Sequence, residues 1–235
     1  MPATINYLAA PPRSADLVVI GGGVVGAAVA FYAGRAGLRP LLIERRPALC
    51  SLTTAVATGA FRLQFDNREE IALVRRSVEL FLNFAAITGQ TAYDPAIRQR
   101  GYLWLTTEEA GIARQRRLVA AQREWGLDDV ETLDGGEVRR RFPYVGENVL
   151  GARFRAGDGT LDPVALALGL VAASGAPVVT GCGVTGFRIA GGRLIGLETT
   201  AGAVAAGSTV IAAGPFSGAL AAVAGVELPV TAVRR

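Results

Sequence analysis

Three glycines and one carboxylate near the N-terminus have the types and spacing that could bind a dinucleotide. Gly21, Gly23 and Gly26 form the pattern Gly-x-Gly-x-x-Gly, and Glu44 follows 21 residues after Gly23. In such a pattern the first glycine permits a sharp turn, the second leaves room for a pyrophosphate, and the third lets helix and strand backbones approach. The pyrophosphate then lies on N–H groups at the positive end of a helix dipole. The Glu44 carboxylate can accept hydrogen bonds from ribose hydroxyls and would repel a 2′-phosphate, which argues against NADP.

Two residue types are missing, and this limits other chemistry. The chain has no histidine and no lysine, because all 24 basic residues are arginine. Histidine-dependent triads, Schiff bases and P-loop lysines are therefore excluded within this sequence. Two cysteines, Cys50 and Cys182, are too few for a zinc site, and we interpret them as buried apolar residues of a reduced, cytoplasmic protein. The chemistry must come from carboxylates, arginines, hydroxyls, backbone amides or a bound cofactor.

The glycine pattern needs a strand before it and a helix after it. The sequence predicts a strand over 17–20, a helix over 24–35 ended by Gly37, and a second strand over 41–43. Residues 17–34 also run without a charge, as a membrane anchor or signal peptide would. The glycines clustered within this run favour a turn instead, so the preferred interpretation is a β-α-β unit.

The overall composition is that of a folded globular protein. The 235 residues are 51% hydrophobic and 19% charged, and the formal net charge is +4. The arginines are scattered along the chain, and the densest run, 139–141, is interpreted as a solvated helix end, so nucleic-acid binding is not expected. The length suits one domain with an elaboration.

Downstream patterns predict further helices and strands. Residues 66–89 have the apolar spacing of an amphipathic helix, and 101–105 read as a strand. Thr106 and Glu109 are typical of a capping box that begins the next helix, and Asp162 is expected to cap another. The remaining strands are predicted over 177–180, 184–190, 193–199 and 208–213.

The segment after the second strand, CSLTTAVATGAFRLQFDN (50–67), mixes small hydroxyl residues with one arginine. On these residues alone it is either a surface connection or a helix and turn that offer hydroxyl and N–H groups to a pyrophosphate. The motifs GGGVVG with IER, TTAVATGAFR, GYLWL, DGTLDP and VIAAGPFS follow one another along the chain. In this order they resemble the FAD-dependent oxidoreductase family that includes D-amino acid oxidase, glycine oxidase and the sarcosine oxidases. The resemblance runs from Asp16 to Arg235.

The resemblance implies an α/β fold. We expect a Rossmann-type FAD-binding domain, with a central parallel sheet and a β-meander, and part of an inserted α+β substrate domain. The implied segments are a flexible N-terminal leader (1–15), the FAD-binding domain (16–90 and 155–228), the partial substrate domain (91–154) and the start of a truncated substrate-domain strand (229–235).

The resemblance also implies residue roles around FAD. The cofactor is expected to bind non-covalently, because the histidine that attaches it in some relatives is missing from this sequence. Arg62 is the one residue placed at the reactive end of the flavin, with a surface salt bridge as its alternative role. No metal ligand is expected. The implied cofactor-binding residues are Gly21, Gly23, Val24, Val25, Gly26, Glu44, Arg45, Thr53, Thr54, Arg62, Val184, Ala213 and Gly214.

The function implied is that of a cytoplasmic flavoprotein without a membrane span, which oxidises a small amine or amino acid by hydride transfer to flavin N5. One alternative is an FAD- or NAD-dependent oxidoreductase of hydroxy acids. The other is a truncated fragment, or a subunit, that binds the dinucleotide without catalysis. Members of the family continue beyond this length, so most of their catalytic residues are expected in a missing C-terminal portion or a partner subunit.

Overall fold

The computed structural model describes residues 4–233 and divides into two compact units. The first unit comprises the residues up to Ala57, Phe84–Pro95 and the chain from Asp162 on, and the second comprises Thr58–Asn83 and Ala96–Leu161. The strands are β1 (Asn6–Tyr7), β2 (Ser14–Ile20), β3 (Pro40–Ile43), β4 (Ala60–Phe61), β5 (Tyr102–Thr106), β6 (Glu131–Asp134), β7 (Gly151–Arg155), β8 (Gly159–Thr160), β9 (Pro177–Val179), β10 (Val184–Ala190), β11 (Arg193–Thr199) and β12 (Gly202–Ile211). The helices are α1 (Val24–Arg35), α2 (Thr53–Val56), α3 (Arg68–Leu82), α4 (Phe84–Thr88), α5 (Glu109–Glu124), α6 (Gly135–Arg141), α7 (Pro163–Ser174) and α8 (Ser217–Val223), with a 3₁₀ turn at Gly214–Phe216.

A seven-stranded sheet forms the centre of the first unit. Its strand order is β1-β9-β3-β2-β12-β11-β10. The strands from β1 to β12 in this order pair in parallel, whereas β12, β11 and β10 form an antiparallel meander. The predicted α/β fold of Rossmann type is therefore confirmed, and the complete sheet is mixed rather than wholly parallel.

The β-α-β unit around the glycine pattern follows the predicted boundaries closely. Helix α1 spans the predicted residues, and β2 and β3 begin three residues and one residue earlier than expected. The two strands lie side by side with Ile20 opposite Ile43, so both end at the same edge of the sheet. Gly21 continues from Ile20, and its N–H donates to the Ile43 carbonyl at 2.8 Å. The turn into α1 is thus attached to the end of β3.

Strand β12 begins earlier than the strand predicted over 208–213. The structure has one continuous strand whose first half pairs with β11 and whose second half pairs with β2. Val204 lies opposite Leu197, and Val210 lies opposite Val19. The strand continues because it changes partners along its length, which a local pattern cannot reveal.

Helix α7 begins at the predicted cap, Asp162. The Asp162 side chain accepts hydrogen bonds from the N–H groups of Val164 and Ala165, and Pro163 occupies the first turn. Gly175 ends the helix in the left-handed conformation, with φ of +66°. Helix α7 packs closely on α1, where a side chain on Gly34 would overlap the Ser174 carbonyl.

The second unit contains a three-stranded antiparallel sheet, with order β5-β7-β6, and the short pair β4-β8. Helices α3, α5 and α6 belong to the same unit. One core cluster includes Phe61, Ile71 and Val119, and a second includes Val138 and Phe154. The unit therefore has apolar cores of its own.

Two local predictions in this part of the chain are wrong. The expected capping box of Thr106 and Glu109 does not form, because Thr106 is the last residue of β5 and its hydroxyl bonds to Glu108 instead. The single helix predicted over 66–89 is interrupted at Asn83, whose amide donates to the Glu79 carbonyl. Asparagine side chains compete with the helix backbone for such carbonyls, which favours a helix end.

Three of the expected segment boundaries also differ from the structure. Asn6–Tyr7, expected in a flexible leader, pairs with β9, and residues 1–3 lie outside the described residues. Helix α3, expected in the FAD-binding domain, belongs to the second unit. Residues 229–233 form no strand, and 234–235 lie outside the described residues. The pairing of Asn6–Tyr7 with β9 joins segments about 170 residues apart, which a local pattern does not reveal.

Candidate nucleotide-binding site

A cavity of about 460 Å³ lies at the carboxyl ends of β2 and β3, beside the first turn of α1. This is the edge at which open α/β sheets bind their ligands. Its lining is largely apolar, and all its lining residues belong to the first unit. The lining comes from five stretches of the chain: 20–25, 43–46, 50–54, 182–184 and 212–223.

Two glycines allow the turn beside this cavity to form. Gly21 has φ of +116°, which few side-chain-bearing residues adopt, and a side chain there would also meet the Ala212 backbone. A side chain on Gly26 would overlap the carbonyl oxygen of Gly21. Gly26 therefore brings α1 against the turn and does not line the cavity. The distinct roles of these two glycines follow from geometry alone.

The second glycine of the pattern faces α2. A Cβ atom on Gly23 would lie 3.2 Å from Thr54 Oγ1. The same hydroxyl accepts a hydrogen bond from the Val24 N–H at 3.0 Å. Thr54 thus occupies one N–H at the start of α1, a role that sequence reasoning missed. Thr53 and Thr54 both line the cavity, next to the helix N-terminus where anions bind.

Glu44 lies at the end of β3 and is held by backbone donors. Its Oε2 accepts from the Gly22 N–H at 2.7 Å, and its Oε1 accepts from the Arg46 N–H at 2.8 Å. Each carboxylate oxygen can accept a further hydrogen bond. The side chain is therefore fixed in orientation and can still bind hydroxyl groups in the cavity.

Arg45 and Phe216 form a contact across one wall of the cavity. The Arg45 guanidinium carbon lies 4.2 Å from the Phe216 ring centroid, a cation–π distance. Both residues line the cavity, and Phe216 was not among the predicted site residues. The signal that could have found it is the GPFS motif, because Phe216 directly follows the predicted Gly214 and Pro215. An aromatic face and a guanidinium plane are both suited to stack on a nucleobase.

Both cysteines are free, buried and part of the cavity lining. Cys50 has φ of +56°, and its thiol lies 3.6 Å from the Gly22 carbonyl. Burial, with smaller contributions from the nearby carboxylates of Glu44 and Asp162, raises the pKa of the Cys50 thiol to about 11. The thiol is therefore protonated at neutral pH and acts as a small apolar group.

The structure brings most of the predicted site residues together around the cavity. Arg62 is placed elsewhere, in the second unit, where its guanidinium lies over the rings of Phe65, Tyr102 and Trp104. The predicted residues that line the cavity are Gly21, Gly23, Val24, Val25, Glu44, Arg45, Thr53, Thr54, Val184, Ala213 and Gly214.

Among residues 4–233, no group of three or more histidine, cysteine, aspartate or glutamate residues could hold a metal ion. Over the same residues, no helix has the length and apolar character needed to cross a membrane. The run 17–34, for which an anchor was the alternative, contains the end of β2 and most of α1.

Comparison with protein families gives one match that covers most of the chain. The model of the family described as FAD dependent oxidoreductase matches residues 16–235. Sarcosine oxidase subunit beta from Arthrobacter sp. is 30% identical over 230 residues, which is 94% of this chain and 56% of that protein. Human mitochondrial sarcosine dehydrogenase is 25% identical, over 94% of this chain and 25% of that protein. The chain therefore spans about half the length of the first relative and a quarter of the second.

Two solved structures of enzymes have a fold similar to that of this chain. L-proline dehydrogenase from P. horikoshii superposes with a TM-score of 0.84 at 25% identity, covering 92% of this chain and 57% of that one. Glycine oxidase from Bacillus cereus superposes with a TM-score of 0.78 at 27% identity, covering 89% of this chain and 58% of that one. At these coverages each match extends into both units.

Proposed function

Because the chain belongs to the FAD-dependent oxidoreductase family, whose cofactor is FAD, we propose that it takes part in the oxidation of a small amine or amino acid at a carbon–nitrogen bond. The observation that carries the substrate class is the similarity to sarcosine oxidase subunit beta over 94% of this chain. The names of the other relatives, sarcosine dehydrogenase, L-proline dehydrogenase and glycine oxidase, agree with it. Each names a small amino acid that carries an amine.

The cavity suits the ADP half of FAD. It contains the N-terminus of α1 and the fixed Glu44 carboxylate at the end of β3. It also contains Gly23, where any side chain would enter the space next to Thr54. We assign the pyrophosphate to the first turn of α1 with Thr53 and Thr54, and the ribose hydroxyls to Glu44. Val24 and Val25 would lie against the pyrophosphate, since they form that first turn.

The remaining lining residues fit the adenine and the inner end of the cofactor. Arg45 and Phe216 offer stacking surfaces, and Val184 begins β10 where backbone groups can bind an adenine edge. Ala213 and Gly214 follow β12 after Ala212, and Gly214 has φ of +56°, so their backbone can approach a ligand closely. Binding is proposed to be non-covalent.

Bound FAD supplies the redox chemistry by accepting a hydride from the substrate. The residues of this chain bind the cofactor, orient it and shield it from water. The Arthrobacter relative is named as a subunit, so we extend the proposal to a partner chain that completes the active site. The proposal places the catalytic groups on residues that do not line this cavity.

The absorption spectrum of the purified protein tests the cofactor assignment, because oxidised flavin absorbs visible light and nicotinamide does not. A Gly23→Val variant is expected to lose bound FAD, since the added side chain fills the space before Thr54. Gly186→Val in β10 is the matched control, because a Cβ there meets only ordinary contacts at 3.8 Å or more. A Gly23→Val protein that retained a full flavin spectrum would contradict the assignment.

Anaerobic bleaching of the flavin tests the reaction. We expect bleaching with sarcosine, L-proline or glycine and none with small 2-hydroxy acids. Bleaching by hydroxy acids alone would favour the alternative reaction class. An intact flavin spectrum with no bleaching by any substrate would mean that this chain binds FAD without catalysing the oxidation.

A further inference from the structure

A short segment ahead of β2 adds a strand to one edge of the seven-stranded sheet. We call residues 4–13 the N-terminal strap. Its strand β1 pairs in parallel with β9, and the Leu8 N–H donates to the Val178 carbonyl at 2.8 Å. The family model matches residues 16–235, so the strap lies outside the matched region. Its role must therefore follow from its contacts in this chain.

Strand β9 would be the outermost strand on this side of the sheet without the strap, since the strand order is β1-β9-β3. It has only three residues, Pro177–Val179. Gly175 and Gly181 lie on either side of it, each in the left-handed conformation with φ of +66°. A short strand between two glycines has few bonds of its own to hold it, so it opens easily. Pairing with β1 gives β9 a neighbour on both sides.

The backbone of Glu44 is held by β9 and the residues that follow it. The Glu44 N–H donates to the Val179 carbonyl at 2.9 Å, and the Cys182 N–H donates to the Glu44 carbonyl at 3.0 Å. The Gly181 N–H donates to the Arg46 carbonyl at 2.8 Å. The Arg46 N–H is in turn one of the two donors that orient the Glu44 carboxylate. The position of this carboxylate therefore depends on where β9 lies.

The strap is also tied to this region through a side chain. Leu8 is partly buried and packs against the core cluster that includes Ile43, Val179 and Cys182. Ile43 directly precedes Glu44 in the chain, and the other two residues are its backbone partners. Two prolines, at positions 11 and 12, restrict the connection from the strap to β2. This restriction lowers the entropy that the strap loses when it pairs with β9.

We propose that the N-terminal strap positions Glu44 for ribose binding, because β1 holds β9 and β9 holds the backbone of Glu44. Leu8 is the positioning residue, since it supplies both a backbone hydrogen bond and a side-chain contact. A carboxylate that is already oriented binds hydroxyl groups without the cost of ordering it on binding. This inference rests on the proposed placement of the ribose at Glu44. It does not depend on the reaction that bound FAD performs.

ADP is a suitable probe, because it contains the ribose and the pyrophosphate but no flavin. Isothermal titration calorimetry of the FAD-free full chain with ADP measures Kd. We expect Leu8→Ala to weaken ADP binding about three- to tenfold, as for the loss of one net hydrogen bond. Leu8→Val should have a smaller effect, and Leu8→Met should restore the original Kd. Ile189→Ala is the control, because Ile189 is 54% exposed on β10 at the opposite edge of the sheet.

A second substitution, Glu44→Gln, separates positioning from a purely structural role. In the Glu44→Gln protein, Leu8→Ala should change the Kd for ADP less than about twofold, because the carboxylate that the strap positions is gone. The loss of Tm caused by Leu8→Ala should be similar with and without Glu44→Gln. If Leu8→Ala lowers Tm and leaves the Kd unchanged, the strap is structural only and the proposal is overturned. Equal weakening of ADP binding in both backgrounds would overturn it as well.

The two proposals can fail separately. Weaker ADP binding by Leu8→Ala in a protein whose flavin no amine bleaches would support the role of the strap and overturn the proposed reaction. Flavin bleaching by sarcosine, together with an unchanged Kd for ADP in Leu8→Ala, would overturn the role of the strap and leave the reaction standing. An unsubstituted protein that bound neither ADP nor FAD would overturn the placement of the ADP half and the role of the strap with it.

Discussion

Some single side chains in this protein have structural roles that their position in the sequence does not suggest. Asp158 belongs to the DGTLDP motif, and its carboxylate is fully buried. It accepts hydrogen bonds from the Leu63 backbone and from Gln64, and it pairs with Arg155. One carboxylate thus connects the segment of Arg62 to β7 and β8.

Replacing Asp158 with alanine is expected to destabilise the second unit by about 3–5 kcal/mol, because Arg155 would lose its buried partner. Both tryptophans belong to this unit, so urea denaturation followed by tryptophan fluorescence measures the change. Asp129→Ala is the matched control, since Asp129 binds the same Arg155 but is 55% exposed. Its removal should cost less than about 1 kcal/mol. Equal losses for the two variants would contradict the assigned role of Asp158.

The Cys50 thiol is expected to react slowly with disulfide reagents in the folded protein. With a pKa of about 11, only about one thiol in a thousand is ionised at pH 8. The reaction should become fast when the protein is unfolded in urea. Since folding raises the pKa above the unfolded value near 9, the stabilisation from this group is complete below about pH 9 and is lost as the pH rises towards 11. The labelling is measured in a Cys182→Ala protein, so that Cys50 alone reacts. Rapid labelling of native Cys50 would contradict the raised pKa.

Among the elements, α1 packs tightly against the glycine turn. Gly26→Ala is expected to destabilise the first unit by about 1–3 kcal/mol, because the added methyl group overlaps the Gly21 carbonyl. The gain of about 1 kcal/mol in helix propensity is already included in this range. Urea denaturation followed by circular dichroism measures it. Gly186→Ala in β10 is the control, because its Cβ would have ordinary contacts, and an equal effect there would contradict the argument.

The elements also show which local signals are reliable. Helices α1 and α7 begin and end at glycine, aspartate and proline signals, each of which acts through the backbone of its own residue or its nearest neighbours. The capping box at Thr106 failed because the same residue was needed at the end of β5. At Thr106, the pairing of β5 with the distant strand β7 decided the structure, and the local capping pattern did not.

For the whole molecule, FAD should stabilise the fold through the first unit, which contains the entire lining of the cavity. A ligand present at a hundred times its Kd adds about 2.7 kcal/mol, which corresponds to a rise in Tm of roughly 5–10 °C for a chain of this size. Calorimetry with and without FAD measures this. Riboflavin, which lacks the ADP half, should give little shift. A similar shift with riboflavin, or any FAD-induced shift in Gly23→Val, would contradict the placement of the ADP half.

The sequence by itself determined the β-α-β unit, the positions of most helices and strands, and the residues around the cavity from Gly21 to Glu44. These features depend on conformational preferences and hydrogen bonds that act within a few residues, and on a motif whose spacing is set by one turn and one helix. Their signals are therefore present in short stretches of sequence.

Only the tertiary structure decided the rest. The continuous strand β12, the position of Phe216 beside Arg45, and the gathering of Arg62 and Arg153 on Trp104 all depend on which distant segments lie side by side. Leu63 and Asp158 are 95 residues apart, yet they share a hydrogen bond because the pairing of β4 with β8 brings the two neighbouring segments together. Burial then determines whether a charge is screened by water or left to require a partner, and burial is a property of the folded chain.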